Sequence, residues 1–115
     1  MDIEAIQQIC MSFPQAEEGI KWKSDLVFMV GKKMFCIVDL ATVPTAVSFK
    51  VPAELYEEIS NSSGFRPAPW FAQHKWVMVD DISDLSKRDW EHYLKQSYDL
   101  VVERLSRRLR RESGL

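Results

Sequence analysis

Apolar residues recur along this 115-residue chain in two rhythms, one of helical and one of strand period. Near the N-terminus, Ile3, Ile6, Ile9 or Cys10, and Phe13 fall on one face of a helix. Asp2 supplies a good N-cap and Pro14 a stop, so the pattern predicts a helix over about 2–12 and then a loop through Gly19. "SDLVFMV" (Ser24 to Val30) and "MFCIVDL" (Met34 to Leu40) are rich in β-branched and aromatic residues and read as strands. Gly31-Lys32-Lys33 between them suits a tight hairpin turn. After Pro44 comes "TAVSFKV", with Val47, Phe49 and Val51 on one side and Ala46, Ser48 and Lys50 on the other.

Pro52 sits well at a first helical position, Leu55 and Ile59 form a short apolar stripe, and "NSSG" ends it at Gly64. "FRPAPWFA" and "KWVMVD" follow as an irregular and a regular strand. Pro67 and Pro69 lack amide donors, which confines the first of these to a sheet edge or an extended connector. Ser86 and Asp89 have capping-box spacing and open a long helix to about Arg111, with Leu94, Tyr98, Val101, Leu105 and Leu109 as its stripe. The order is α-β-β-β-α-β-β-α. It predicts a two-layer α+β fold, an antiparallel sheet of about five strands with helices on one face. One domain spans residues 1–115, the last few frayed.

The first two strands complicate that picture, because Leu26, Phe28 and Val30 alternate with Val27 and Met29, all apolar. A two-layer fold leaves one sheet face wet. Loops and tryptophans must cover that face, or a second chain must, which raises a homodimer as an expectation.

Hydrophobic content of 46% with 28% charged residues excludes a disordered chain, and the length suffices for one real core. A net charge of −2 gives no general field for nucleic acid or anionic membranes. The charge is uneven, however: Arg104 to Arg111 holds five arginines and no acid. Cys10 and Cys36 belong to no CxxC pair and read as free, buried thiols of a reducing compartment. With neither a signal-like N-terminus nor a membrane-length apolar run, the expectation is a cytoplasmic protein with no membrane partner.

Three motifs carry a family likeness: "CMSFPQAEEGIKW" after the first helix, "AQHKWVMV" in the penultimate strand and "QSYDLVVERL" in the last helix. In this order they resemble the MmcQ/YjbR family over nearly the whole chain. The resemblance implies a small bacterial domain of CyaY-like or secretion-chaperone-like architecture, mostly of unknown function. It also brings a DNA-binding suggestion made for the family on its double-wing shape. It carries over no catalytic residue, although Arg66, His74, Lys75 and Trp76 fall where the family keeps similar residues.

Several groups are candidates for chemistry. His74 can act as a base near neutral pH, but neither cysteine adjoins it and no nucleophile motif is present. His92 and His74 lack zinc spacing. The commoner use of such a histidine is structural, hydrogen-bonded near a strand end. Asp80, Asp81, Asp84 and Asp89 cluster without an EF-hand pattern, and capping and loop roles account for them, so no metal or other cofactor is expected.

Arg104, Arg107, Arg108 and Arg111 follow i, i+3, i+4, i+7 spacing and line one stripe of the predicted helix. Such a stripe can track phosphates, or it can be a solvated helix end that complements the dipole. The proline-stiffened segment from Arg66 to Asp81 is mainly a structural connection. Arg66, Trp70 and Lys75 can also form a binding rim there. The sequence thus points to a non-enzymatic binding module. DNA is the leading ligand, with self-association or a small-molecule pocket near His74 and Trp76 as alternatives.

Overall fold

A computed structural model of the chain describes residues 1–69, 71–112 and 114–115. Helix α1 (Ile3–Met11) begins as expected, the Asp2 carboxylate accepting the Ala5 N–H at 2.8 Å. Six strands then build one sheet: β1 (Glu17–Lys21), β2 (Asp25–Val30), β3 (Lys33–Asp39), β4 (Ala46–Lys50), β5 (Phe65–Pro67) and β6 (Trp76–Val79). Their spatial order is β1-β2-β3-β4-β6-β5, every neighbouring pair antiparallel. Helix α2 (Tyr56–Ser60) precedes β5, and α3 (Lys87–Glu103) and α4 (Arg107–Glu112) close the chain.

The α+β class and the antiparallel sheet agree with the sequence reading, but there are six strands rather than about five. The added one, β1, falls in the segment read as a loop. Its residues "EEGIK" are almost all exposed at the sheet edge, so neither β-propensity nor alternation announces it. The β2–β3 hairpin turns on Gly31 and Lys32, both at positive φ (57° and 68°), as a two-residue turn with matching twist requires. At the far edge, β5 ends at Pro67 and pairs only with β6, so its missing amides cost no ladder bond.

One sheet face carries Phe28, Val30, Cys36, Val38, Val47, Phe49, Val77 and Val79 against Ile6, Ile9 and Cys10 of α1 and Trp90, Leu94, Tyr98 and Val101 of α3. Phe35 joins this face through a β-bulge. Phe28 pairs with Cys36 while Met29 pairs with Met34, so Phe35 is the extra residue. Its carbonyl accepts the Ser97 hydroxyl at 2.6 Å, and the Ser97 oxygen accepts the Lys50 N–H at 2.9 Å. A fully buried side chain of α3 thus satisfies one backbone group on each of two strands.

The opposite face is apolar too. Val27, Ile37 and Trp76 pack with Ala68 beneath a cover that includes Phe71 and comes from the β5–β6 connection. The cover that the alternating strands demand is therefore supplied in part by this chain's own loop.

The single long C-terminal helix of the sequence reading is corrected. Helix α3 ends at Glu103, and Ser106 opens α4 by accepting the Leu109 N–H at 3.1 Å. The break lets Leu105 turn inward onto Gly31, where its methyl groups would lie 2.7–2.8 Å from any added Cβ. Arg104 is thereby separated from Arg107, Arg108 and Arg111, and the continuous stripe is lost. Among the described residues no helix is long and apolar enough to cross a membrane.

Two stability predictions follow from this core. Ser97→Ala leaves the Phe35 carbonyl and the Lys50 amide without their buried partner, at a cost of about 2–4 kcal/mol. The unfolding free energy from urea melts should fall by that amount, with a lower midpoint and an unchanged slope. The second concerns Cys10, a fully buried free thiol beside Cys36. Burial, then hydrogen bonding to Cys36 and the charge of that neighbour, push it far above its ordinary value of 9.0. Below that value the thiol is neutral in both states. Above it only the unfolded chain ionises, so stability should fall from about pH 9 upward, by up to about 1.4 kcal/mol per pH unit. Urea melts at pH 8, 9 and 10 measure this, and a flat profile would contradict a water-excluded Cys10.

Candidate functional site

The register of the sheet lines up a row of side chains across its second face. Val27 lies opposite Ile37, Ile37 opposite Ser48, Ser48 opposite Met78, and Met78 opposite Arg66. One row further along, Asp25 is opposite Asp39, and Asp39 is opposite Ala46. The described residues of the β5–β6 loop cover part of this surface. Beside it lies an open groove of about 840 Å³, of a size that suits a small molecule. Ile37, Ala46, Ser48 and Met78 come from its strands. Trp22 of the β1–β2 turn, Phe71 and Pro69 of the β5–β6 loop, and Val43-Pro44 of the β3–β4 loop surround them.

Each wall has a local cause. Trp22 and Lys23 both adopt positive φ (48° and 74°), a conformation that costs a non-glycine residue about 1–2 kcal/mol. Trp22 is 58% exposed, with its ring 6.3 Å from Phe71 and tilted 54° to it. Phe71 in turn rests on Trp76 at 5.6 Å. A short 3-10 turn over Ala72–His74, ended by Lys75 at φ 65°, returns the chain to β6.

The groove is acidic at one end. Asp25 and Asp39 face each other directly across two strands, an arrangement that disfavours the fold by about 0.2–1 kcal/mol relative to a neutral pair. Partial burial, and then the charge of Asp39, raise the Asp25 carboxyl above its ordinary value. Asp39 also accepts the Ala41 N–H at 2.9 Å. The third acid, Asp80, takes the Arg66 Nε at 2.9 and 3.0 Å, and Arg66 Nη2 lies 3.1 Å from Met78 Sδ. Among the described residues, no three acid, histidine or cysteine side chains gather closely enough to hold a metal ion.

The residues singled out from the sequence are divided by the fold rather than gathered. Arg66 lines the groove, neutralised by Asp80. Lys75 sits beyond the other end of β6, its ammonium 5.0 Å from the centre of the Tyr56 ring. The two do not form one rim, and Trp70 lies outside the described residues. His74 is exposed; its carbonyl accepts Lys50 Nζ at 2.6 Å, and its ring Nε2 lies 3.4 Å from the Gln73 side-chain amide. Trp76 is 5% exposed and serves as packing beneath Phe71. Neither His74 nor Trp76 lines the groove.

A basic pole does form at the opposite end of β4. Lys50 is nearly buried, and burial, then Arg104, then Lys75 hold its ammonium below its ordinary value. On α4, Arg107 and Arg111 are exposed, Arg108 pairs with Glu112 at 3.0 Å, and Arg110 donates to the Val102 carbonyl at 3.1 Å. Two other acids noted in the sequence make local bonds. Asp81 accepts the Ser83 amide and hydroxyl, and Asp89 donates its N–H to Ser86.

Sequence reasoning missed Trp22, Asp25, Asp39, Ser48 and Phe71 as site residues. A signal was present for two of them. Asp25 and Asp39 stand in phase with the apolar Val27 and Ile37 of their own strands.

Comparison with known proteins places this architecture. No curated protein matches the chain. A Deinococcus radiodurans protein with a DUF419 family-model domain has a crystal structure similar to this one, with a TM-score of 0.86 at 25% identity. The match covers 98% of this chain and 88% of that one. A Pseudomonas syringae crystal structure shares the fold, with a TM-score of 0.72 at 15% identity, over 87% of this chain and 98% of its own. The YjbR family model matches residues 11–100, a span that holds all six strands and most of α3. As the three sequence motifs indicated, the chain belongs to the YjbR family.

Proposed function

We propose that this protein is a binding module whose ligand is a small molecule seated in the groove of the second sheet face. The observation that carries this reading is the preformed concavity itself. Its floor comes from three paired strands, β3, β4 and β6, and its rim from three separate loops, one of which holds Trp22 in a strained turn. Rigid strands fix the floor, so little ordering accompanies binding. The test is a saturation-transfer NMR screen of charged and neutral aromatic fragments. It compares the natural chain with Ser48→Phe, which fills the floor, and Phe71→Ala, which removes a wall. Fragments that bind should weaken by about tenfold or more in both variants. Hits that ignore both changes, in variants with native circular dichroism, would move the site elsewhere; no hits at all would remove the reading.

DNA, the ligand that the resemblance favoured, draws support from a different region. Lys50, Lys75 and Arg104 share one pole, and Arg107 and Arg111 are exposed nearby in sequence on α4. The acidic groove would repel a duplex, so such binding belongs to that pole alone. Anisotropy of a labelled random duplex at several salt concentrations tests it, with Arg104, Arg107, Arg108 and Arg111 changed to Ala as the control. Phosphate contacts from all four arginines would contribute about −3.6 to the log–log salt slope, and the variant should lose that contribution and keep only what Lys50 and Lys75 add. Absence of binding at low salt excludes this second reading.

A further inference from the structure

Resting on the groove as the ligand site, we propose that its occupant is a small organic cation: an ammonium or guanidinium group carried on a flat apolar body. The charge end is set by Asp25 and Asp39. Their side chains share the groove face from directly opposed positions, and among the described residues neither takes part in an ion pair. Lys21, opposite Asp25 on β1, does not come within ion-pairing distance of it. Opposed carboxylates repel each other in the empty protein, and a shared cation converts that repulsion into attraction.

The other walls select the rest of the ligand. The Trp22 and Phe71 rings, 6.3 Å apart, form one aromatic wall beside a mostly apolar floor, a setting for a flat hydrocarbon body and for a cation held near an aromatic face. Ser48 provides an independent pointer. It is only 4% exposed, lines the groove, and its hydroxyl makes no side-chain hydrogen bond among the described residues. A hydroxyl that reaches a groove from a nearly buried residue is available to a polar atom of a ligand. A bare metal ion would need several donors converging on one point. The two aspartates, with aromatic walls beside them, instead suit a charge attached to an apolar frame.

Three probes sharing one ring system separate the terms: tryptamine, tryptophol and indole-3-acetate, titrated into ¹⁵N-labelled protein with the Trp22 indole N–H as reporter. Tryptamine should bind about tenfold or more tightly than tryptophol, and indole-3-acetate most weakly. Asp25→Asn with Asp39→Asn should erase the preference while leaving tryptophol binding intact. That variant should melt no lower than the natural chain, since it removes a repulsion and an asparagine at 39 can still accept the Ala41 N–H. If amine and alcohol bind alike in the groove, the cation inference falls and the groove reading stands. If none of the three moves the Trp22 signal, both fall.

Discussion

The hydroxyl of Ser97 joins the long helix to the sheet where the sheet is least regular. At the Phe35 bulge the ladder leaves a carbonyl without its strand partner, and at the end of β4 the Lys50 amide faces the same helix. One hydroxyl can donate once and accept once, and here it does both. Because it is buried, any other arrangement of α3 on the sheet would strand two polar groups away from water. This fixes the helix along its axis as well as across it, which hydrophobic packing alone does less strictly. Trp90 in the first turn, bonded to the Ile82 carbonyl at 2.9 Å, and Tyr98 beside Ser97, bonded to the Pro14 carbonyl at 2.6 Å, add two further anchors of the same kind.

With one face so firmly closed, the sheet's remaining freedom lies on the other. The bulge turns Phe35 toward the helices, so the apolar residues left over, Val27, Ile37 and Trp76, need a separate cover. The described residues of the β5–β6 loop shield the end nearer Trp76. The rest remains concave, and acids occur at its far margin, where no helix or loop buries them fully. Groove and core are therefore two results of one packing problem: a small chain with more apolar strand surface than its helices can hide.

Much of this was legible in the residues. Periodicity placed α1, the β2–β3 hairpin, β4 and the start of α3, and the double-sided apolar pattern of Leu26 to Val30 correctly announced a second cover. The prolines at 67 and 69 placed β5 at an edge. What escaped had physical reasons. Strand β1 is polar because it is an exposed edge, so it lacks the signature that burial imposes. The end of α3 is set by Leu105 meeting Gly31, a contact between positions 74 residues apart that no local pattern encodes. The site was hidden because its members come from strands and loops spread from Trp22 to Asp80, each ordinary in its own neighbourhood. The three family motifs, by contrast, were readable because each stays within one short segment.

The way the groove is assembled separates two tasks that many small domains must reconcile. Its floor belongs to strands held by ladder pairing and by the helices behind them, while much of its rim belongs to connections that carry little of the core. Residues 69 and 71–74, together with the turn at Trp22 and the loop at Val43, can change in shape or chemistry while strand order and the Ser97 anchor stay in place. A scaffold of this kind can host different guests at small structural expense, so descendants of one ancestor could differ widely in what they hold while remaining superposable in backbone.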